Sequence, residues 1–348
     1  MQIDTALIKE LKKADLRFVS DSKAGATRRH QGDTFVYYDA SQKKISDRQT
    51  LERIKRLSIP PAWTNVWICQ SSSGYLQATG YDDKNRKQYI YHEEWTKLSQ
   101  ENKFNKIIEF AQVLPKIRKK VQRDMAEDTL ERDKVIAAVV WLLGATLIRV
   151  GNDEYAKENN SYGLTTLRNK HVRLGRKNIT FEFMGKSGVQ HSVKISHPRI
   201  VKIIKECFEL PGYELFQYLD EEGKRHPLDS ADVNKYLKEI TGLDITAKDF
   251  RTWGATTISA LALFEMGSGE DEKDEKRKVS QTIKKVAKHL RNTAKVCRSY
   301  YIHPVVIEAY HKKLLIPHFK NIYETSTAKY DSYTRQEFAT LTLLQKYS

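Results

Sequence analysis

The sequence predicts an α+β protein: a small β-rich N-terminal domain, residues 1–95, and a mainly α C-terminal domain, residues 96–348, that holds a three-stranded antiparallel sheet. Three observations lead there. Short apolar and aromatic runs bounded by Gly, Asn, Asp and Ser fill the first 95 residues. Apolar residues at helical spacing dominate from about Glu94. An island of period-two alternation then interrupts the helices between His171 and Ile195. A length of 348 residues suits about two domains.

Residues 1–16, MQIDTALIKELKKADL, have the spacing of an amphipathic helix and lack a signal-peptide core. Strands are expected at Thr34–Tyr38, Val66–Cys69 and Tyr75–Gly80, and GYDDKNRKQYIYH (80–92) reads as a hairpin with DDKNRK at its turn. Pro60-Pro61 stops any helix arriving through Arg53–Ser58. The domain boundary is expected within 93–103, where the chain becomes helical and strongly basic.

The apolar run Val135–Ile148, fenced by Lys134 and Arg149, predicts a buried helix over 133–148; its fourteen residues are too few to cross a hydrocarbon layer of ~30 Å. HVRLG (171–175), NITFEFMG (178–185) and VQHSVKI (189–195) predict three antiparallel strands joined at Arg176-Lys177 and Lys186-Ser187-Gly188. Helices are expected through the 200s, 230s and 250s and over 279–314, with GSGEDEKDEKRK (267–278) as a solvated loop.

Sixty Lys and Arg against 44 Asp and Glu leave a net charge of +16, in a chain with 18 Tyr and 5 Trp. That balance points to a polyanionic partner, nucleic acid first. Cys69, Cys207 and Cys297 form no CxxC pair, which excludes a disulfide framework and a cysteine zinc site and suits a reducing, cytoplasmic setting. GKS at 185–187 is not a nucleotide-binding loop, because Thr180 stands where that motif needs Gly and a strand follows. HEEW (92–95) lacks the second His of a helical zinc site. No metal, no ATP and no other cofactor is expected, and no membrane.

Five positions stand out. Arg149 ends the predicted core helix in LIRVGNDEY; Lys186 lies at the tip of the second hairpin of the β island; Arg251 follows Lys248 by one helical turn in KDFRTWGAT; Asn292 and Tyr301 lie in HLRNTAKVCRSYYIHP. Singly, each has an ordinary explanation. Most of 60 basic residues are surface charges or ion pairs, one Tyr among 18 is more often core than nucleophile, and Asn292 suits the cap of a following helix. Their order and spacing are what separate them: 37 residues from Arg149 to Lys186, nine from Asn292 to Tyr301.

With the words SIPPAW (58–63), ATGYDDKNRKQYIYH (78–92), RVGNDEYAKENNSYGLTTLRNKHV (149–172), FMGKSG (183–188), KDFRTWGAT (248–256) and NTAKVCRSYYIHP (292–304), this pattern closely resembles the type IB DNA topoisomerases of bacteria and poxviruses, over residues 15–310 or so. The resemblance implies relaxation of positive and negative supercoils by transient cleavage of one strand of duplex DNA, without ATP or metal. It implies a clamp that works as a monomer, in the cytoplasm and nucleoid-associated if bacterial. Tyr301 would form a 3′-phosphotyrosyl bond and release a 5′-hydroxyl; the nine-residue offset selects it over Tyr300. Arg149 and Arg251 would clamp the non-bridging oxygens, a task that suits planar guanidinium forks. Lys186 matches the general acid, and Asn292 stands where poxvirus enzymes carry His. Gln88, Tyr89 and Tyr91 match a base-reading strand; Tyr155 and Lys248 match positions near the scissile phosphate; Asn152 and Glu154 replace basic residues of the poxvirus enzymes.

Two other readings compete. A tyrosine recombinase shares the catalytic logic, but usually has His three residues before the second Arg, where this chain has Lys248, and opens with a helical domain. A non-catalytic basic DNA-binding protein accounts for the charge and leaves the five-residue register unexplained.

Overall fold

The computed structural model describes residues 5–325 and 332–348 and divides into two units, 1–103 and 104–348. In the first unit the expected N-terminal helix is α1 (Thr5–Lys13); residues 1–4 of that expectation lie outside the described residues. Strands β1 (Ala26–Gln31), β2 (Thr34–Tyr38), β3 (Thr64–Ile68), β4 (Leu76–Tyr81) and β5 (Lys87–Tyr91) form one antiparallel sheet in the order β2-β1-β3-β4-β5. Helix α2 (Arg48–Arg56), capped by the Asp47 carboxylate on the Thr50 N–H, ends before Pro60. Its Ile54 joins Ala26, Val66, Ile68 and Ala78 in a small core.

Strand β1, ATRRHQ, was not expected, because two arginines and a histidine obscure its alternation. The side chain of Arg28 explains its composition. It lies 4.1 Å from the Phe35 ring centre and donates to the carbonyls of Ile59, Pro60, Pro61 and Trp63 at 2.6–3.2 Å. One guanidinium thus gathers carbonyls of the proline-rich connection, whose prolines have no N–H to offer.

Helix α3 (Glu93–Asp124) spans the division between the units and contains Pro115. Proline cannot donate to the carbonyl four residues earlier, which leaves that of Ala111 without its helical partner. The Tyr333 hydroxyl donates to it at 2.7 Å. Helix α4 (Arg132–Thr146) is the expected core helix. Val135 to Val140, Leu142 and Leu143 are buried on every side, among α6 (Pro198–Glu209), α7 (Ser230–Thr241) and α8 (Ala247–Met266). That full enclosure is why the run carries no polar stripe.

A short helix α5 (Asp153–Asn159) precedes the island sheet β6 (Val172–Leu174), β7 (Ile179–Gly185) and β8 (Val189–Ile195), antiparallel in the order β6-β7-β8 as expected. A further hairpin, β9 (Gln217–Leu219) with β10 (Arg225–Pro227), lies between α6 and α7. The run at 267–278 is a loop only to Asp271. Residues 272–278 form the first two turns of α9 (Glu272–Leu290), a correction to the sequence reading. Asp271 caps the helix by accepting from the Asp274 N–H, and Glu272, Asp274 and Glu275 sit at the positive end of its dipole. Lys276 pairs with Glu272 one turn on. The acidic residues of the run thus cap the helix, while Lys273, Lys276 and Arg277 stand exposed on it.

The chain continues through α10 (Ala294–Tyr300), α11 (Pro304–His311), α12 (Leu315–Thr325) and α13 (Arg335–Tyr347). Helix α13 packs against α8. Its Glu337 accepts two bonds from Arg118 on α3, at 2.7 and 2.9 Å, and one from the Trp253 indole on α8 at 3.4 Å. Burial pushes this carboxyl up, and Arg118, together with the N–H and hydroxyl of Thr334, more than offsets it, leaving it below the ordinary range. Glu337→Ala would leave Arg118 facing a gap and is expected to cost about 2 kcal/mol in urea unfolding followed by tryptophan fluorescence. A midpoint equal to that of the parent would contradict this account of α13.

Candidate active site

Two helix ends and one guanidinium organise the site. Helix α4 stops at Thr146, and Leu147 caps it in a left-handed conformation (φ 53°, ψ 22°). The helix expected over 133–148 with Arg149 at its end thus stops earlier, and Arg149 lies two residues past the cap. Helix α9 stops at Leu290, and Arg291 caps it in the same conformation (φ 51°, ψ 57°). The last carbonyls of a helix lack intrahelical partners and carry the negative end of its dipole. Arg251, in the second turn of α8 and 4% exposed, serves both ends: its Nη1 donates to the Leu147 carbonyl and its Nη2 to that of Leu290, at 3.0 Å. The residues just past the two caps then meet, Arg149 Nη2 donating to Asn292 Oδ1 at 2.8 Å.

Left-handed leucine is unfavourable, and it is accommodated by Gly254 on the facing turn of α8. A Cβ at that position would lie 2.5 Å from Leu147 Cδ1. Asn292 does not cap α10; Thr293 does, accepting from the Val296 N–H at 3.2 Å. The Asn292 side chain is thus committed to Arg149 through its oxygen, while its Nδ2 is buried with no hydrogen-bond partner.

Tyr301 is the residue after α10, with its ring 5.3 Å from the Arg251 guanidinium carbon. Burial alone would push its phenol up. Arg251, by charge and by hydrogen bond, together with Arg149 and Lys248, outweighs burial, and the phenol ionises below its ordinary range. Burial and the neighbouring Arg149 push Arg251 down in turn, but a guanidinium starts so high that it stays charged. Tyr300 is half exposed and does not line the cleft.

Lys186 is exposed at the tip of the β7–β8 hairpin, where Ser187 (φ 65°) and Gly188 (φ 72°) turn the chain. Its ammonium lies 5.9 Å from the ring centre of Tyr155. Within the hairpin, His191 of β8 faces Phe183 of β7 and its ring stacks on it at 4.7 Å. Gly185 permits that approach, since a Cβ there would meet His191 Nε2 at 2.6 Å.

Arg149, Tyr155, Lys186, Lys248, Arg251 and Tyr301 line one cleft of about 510 Å³. It contains four cations and, among the described residues that line it, no carboxylate. Asn152 also lines it, and its carboxamide caps α5 on the Tyr155 N–H at 2.7 Å. Such a cleft holds an anion against an activated phenol. Among the described residues no group of three or more His, Cys, Asp or Glu is placed to hold a metal ion.

The remaining sequence-derived candidates lie on β5 of the first unit. Tyr89 and Tyr91 share an exposed face, with rings stacked at 6.1 Å and 7°. Gln88 falls on the opposite face, half-buried, and donates to Asp82 at 3.0 Å. Strand alternation separates it from the two tyrosines. Sequence reasoning missed the carbonyls of Leu147 and Leu290, which no residue type announces, and Thr256, whose hydroxyl meets the Tyr301 turn.

Two family models match the chain: one described as the catalytic core of eukaryotic DNA topoisomerase I, over residues 92–325, and one described as the N-terminal domain of bacterial DNA topoisomerase IB, over residues 34–82. The chain is 34% identical over 293 residues to DNA topoisomerase 1B of Acanthamoeba polyphaga mimivirus, covering 82% of this chain and 87% of that protein. It is 27% identical to DNA topoisomerase 1 of rabbit fibroma virus (74% of this chain, 81% of that protein). Similarity to DNA topoisomerase 1B of vaccinia virus (strain Copenhagen) is 22% (75% of this chain, 82% of that protein).

Two buried histidines belong to the sheet whose hairpin tip carries Lys186: His171 immediately precedes β6 and His191 lies on β8. Burial, with Lys170 and Arg168, pushes His171 down to about 4; burial, with Arg291, Arg149 and Arg251, does the same to His191, to about 4. An unfolded histidine titrates near ~6.5, so the folded chain binds fewer protons between the two values. The stability they contribute is complete above that upper value and lost as pH falls towards 4. The urea midpoint is expected to drop across this window, and less steeply in His191→Gln. Equal slopes in parent and variant would contradict a neutral, buried His191.

Proposed function

The chain belongs to the type IB DNA topoisomerases, and on that footing we propose that the cleft around Tyr301 cleaves and reseals one strand of duplex DNA. The observation that carries the reading is a phenol ionising below its ordinary range over a buried guanidinium, inside a cleft of four cations. The Tyr301 oxygen attacks a backbone phosphorus. The new P–O bond to tyrosine forms as the P–O5′ bond breaks, giving a 3′-phosphotyrosyl link and a 5′-hydroxyl. Charge gathers on the non-bridging oxygens, where Arg149 and Arg251 donate, with Asn292 holding the Arg149 guanidinium through its Oδ1. Asn292 is neutral, so its part is electrostatic rather than acid–base.

The leaving 5′-oxygen needs a proton, and Lys186 supplies it from a hairpin tip exposed to approaching DNA. Resealing reverses each step, with the 5′-hydroxyl as nucleophile and Tyr301 as leaving group. Because the ester stores the cleaved linkage, no ATP is consumed, and fixed cations take the role a metal has elsewhere. Between the two steps the free end swivels about the intact strand, relaxing supercoils of either sign. One chain carries every group named, which supports a monomeric enzyme. The stacked face of Tyr89 and Tyr91 offers a surface to the duplex, with Tyr155 and Lys248 near the cut and Gln88 in a supporting place on β5.

In EDTA and without ATP, the protein is expected to relax both positively and negatively supercoiled plasmid. Tyr301→Phe is expected to abolish relaxation, and Lys186→Ala to slow it by roughly 10²–10⁴-fold. Relaxation by Tyr301→Phe would move the nucleophile elsewhere. DNA binding by the parent without change in linking number would overturn the reading.

A further inference from the structure

The reactive tyrosine sits in a turn rather than in a helix. Tyr301 closes α10 with φ −128° and ψ −28°, and His303 opens α11 two residues on, its Nδ1 accepting from the Val305 N–H at 3.3 Å. On the α10 side the N–H groups of Tyr301 and Ile302 both donate to the Cys297 carbonyl at 3.0 Å. The other side of the turn is held from α8 by Thr256, which is fully buried. Its Oγ1 accepts from the His303 N–H at 3.2 Å and lies 3.2 Å from the Tyr301 carbonyl and 2.8 Å from that of Thr252. A hydroxyl has one proton and two lone pairs. Thr256 therefore always receives the His303 N–H, and shares its proton between its own helix and the carbonyl of Tyr301.

Arg251 and Thr256 are five residues apart on α8, about 7.5 Å along its axis. The phenol is held at the first and the backbone at the second, so ring and main chain of Tyr301 are referred to a single helix. Resting on the strand-cleavage reading above, we propose that Thr256 is a positioning residue, whose hydroxyl fixes the Tyr301 turn on α8 and thereby sets the direction of attack on phosphorus. It touches neither DNA nor the reacting atoms. The same geometry serves cleavage and resealing, since one step is the reverse of the other. Loss of the hydroxyl should therefore slow both and leave their equilibrium in place.

The test is single-turnover nicking of supercoiled plasmid trapped with detergent, with resealing followed after a salt jump. Thr256→Val keeps the shape and removes the hydroxyl; Thr256→Ser keeps the hydroxyl and removes the methyl. Thr256→Val is expected to slow nicking and resealing alike, by roughly 10- to 100-fold as for a small misplacement of a reacting group, with plasmid affinity unchanged. Thr256→Ser is expected to stay within about threefold of the parent, again on the scale of orientation effects. A variant that loses thermal stability but keeps parental rates would assign Thr256 to the fold alone and overturn the proposal. So would equal losses in the Ser and Val variants, or a loss confined to affinity. Should the parent form no covalent adduct, the functional reading itself falls; a parent that nicks beside an unimpaired Thr256→Val removes only the role of Thr256.

Discussion

A buried guanidinium held by carbonyls rather than by a carboxylate is the constraint on which this molecule turns. Arg251 is taken almost wholly out of water, and its partners are the spent ends of α4 and α9. Burying a charge without a full counter-charge is unfavourable, and two helix C-termini compensate only in part. The cost is tolerable because the same contact satisfies carbonyls that would otherwise be orphaned, and it leaves the guanidinium short of negative charge. The phenol of Tyr301 lies over it and is drawn towards ionisation. In the proposed reaction an arriving phosphate supplies the negative charge that the fold leaves out.

Much of the helical unit can be understood as support for that contact. Leu147 is left-handed where its carbonyl meets Arg251, and its side chain packs on Gly254, which has no Cβ to obstruct it. Arg149 and Asn292, each just past one of the two helix ends, are brought together because Arg251 brings the ends together. Helix α8, which bears Arg251, is braced from behind by α13 through Glu337, Arg118 and Trp253, and the Tyr333 hydroxyl fills the gap that Pro115 opens in α3. The hairpin of Lys186 is packed within itself, Gly185 of β7 leaving room for the His191 ring of β8, which stacks on Phe183. On the proposed reading, fixed guanidinium groups and an exposed ammonium suit a reaction in which the phosphate is gripped before the leaving oxygen is protonated.

The sequence was most informative where one physical pattern dominated. The unbroken apolar run of α4, the period-two strands of the island sheet and the β4–β5 turn are all visible in it. It was misleading where charge had a local task. Arginines hid β1 because Arg28 serves backbone carbonyls, and acidic residues hid the start of α9 because they cap it. The five site residues were recognisable as a register, through family resemblance, but not as a geometry. Nothing in the residue types reveals that Arg251 joins two helix ends, that Thr293 rather than Asn292 is the cap, that Gln88 faces away from Tyr89, or that Thr256 meets the Tyr301 turn. Those are matters of tertiary placement, set by contacts between residues distant in the chain.

The most direct test is to trap the protein on a nicked duplex whose short 5′-hydroxyl strand diffuses away after cleavage, digest it, and identify the DNA-linked peptide by mass spectrometry. A nucleotide joined through its 3′-phosphate to Tyr301 would establish the phenol above Arg251 as the nucleophile. Linkage to Tyr300, a 5′-phosphate attachment, or no covalent peptide from a protein that binds the duplex would contradict the central role of the Arg251–Tyr301 pair.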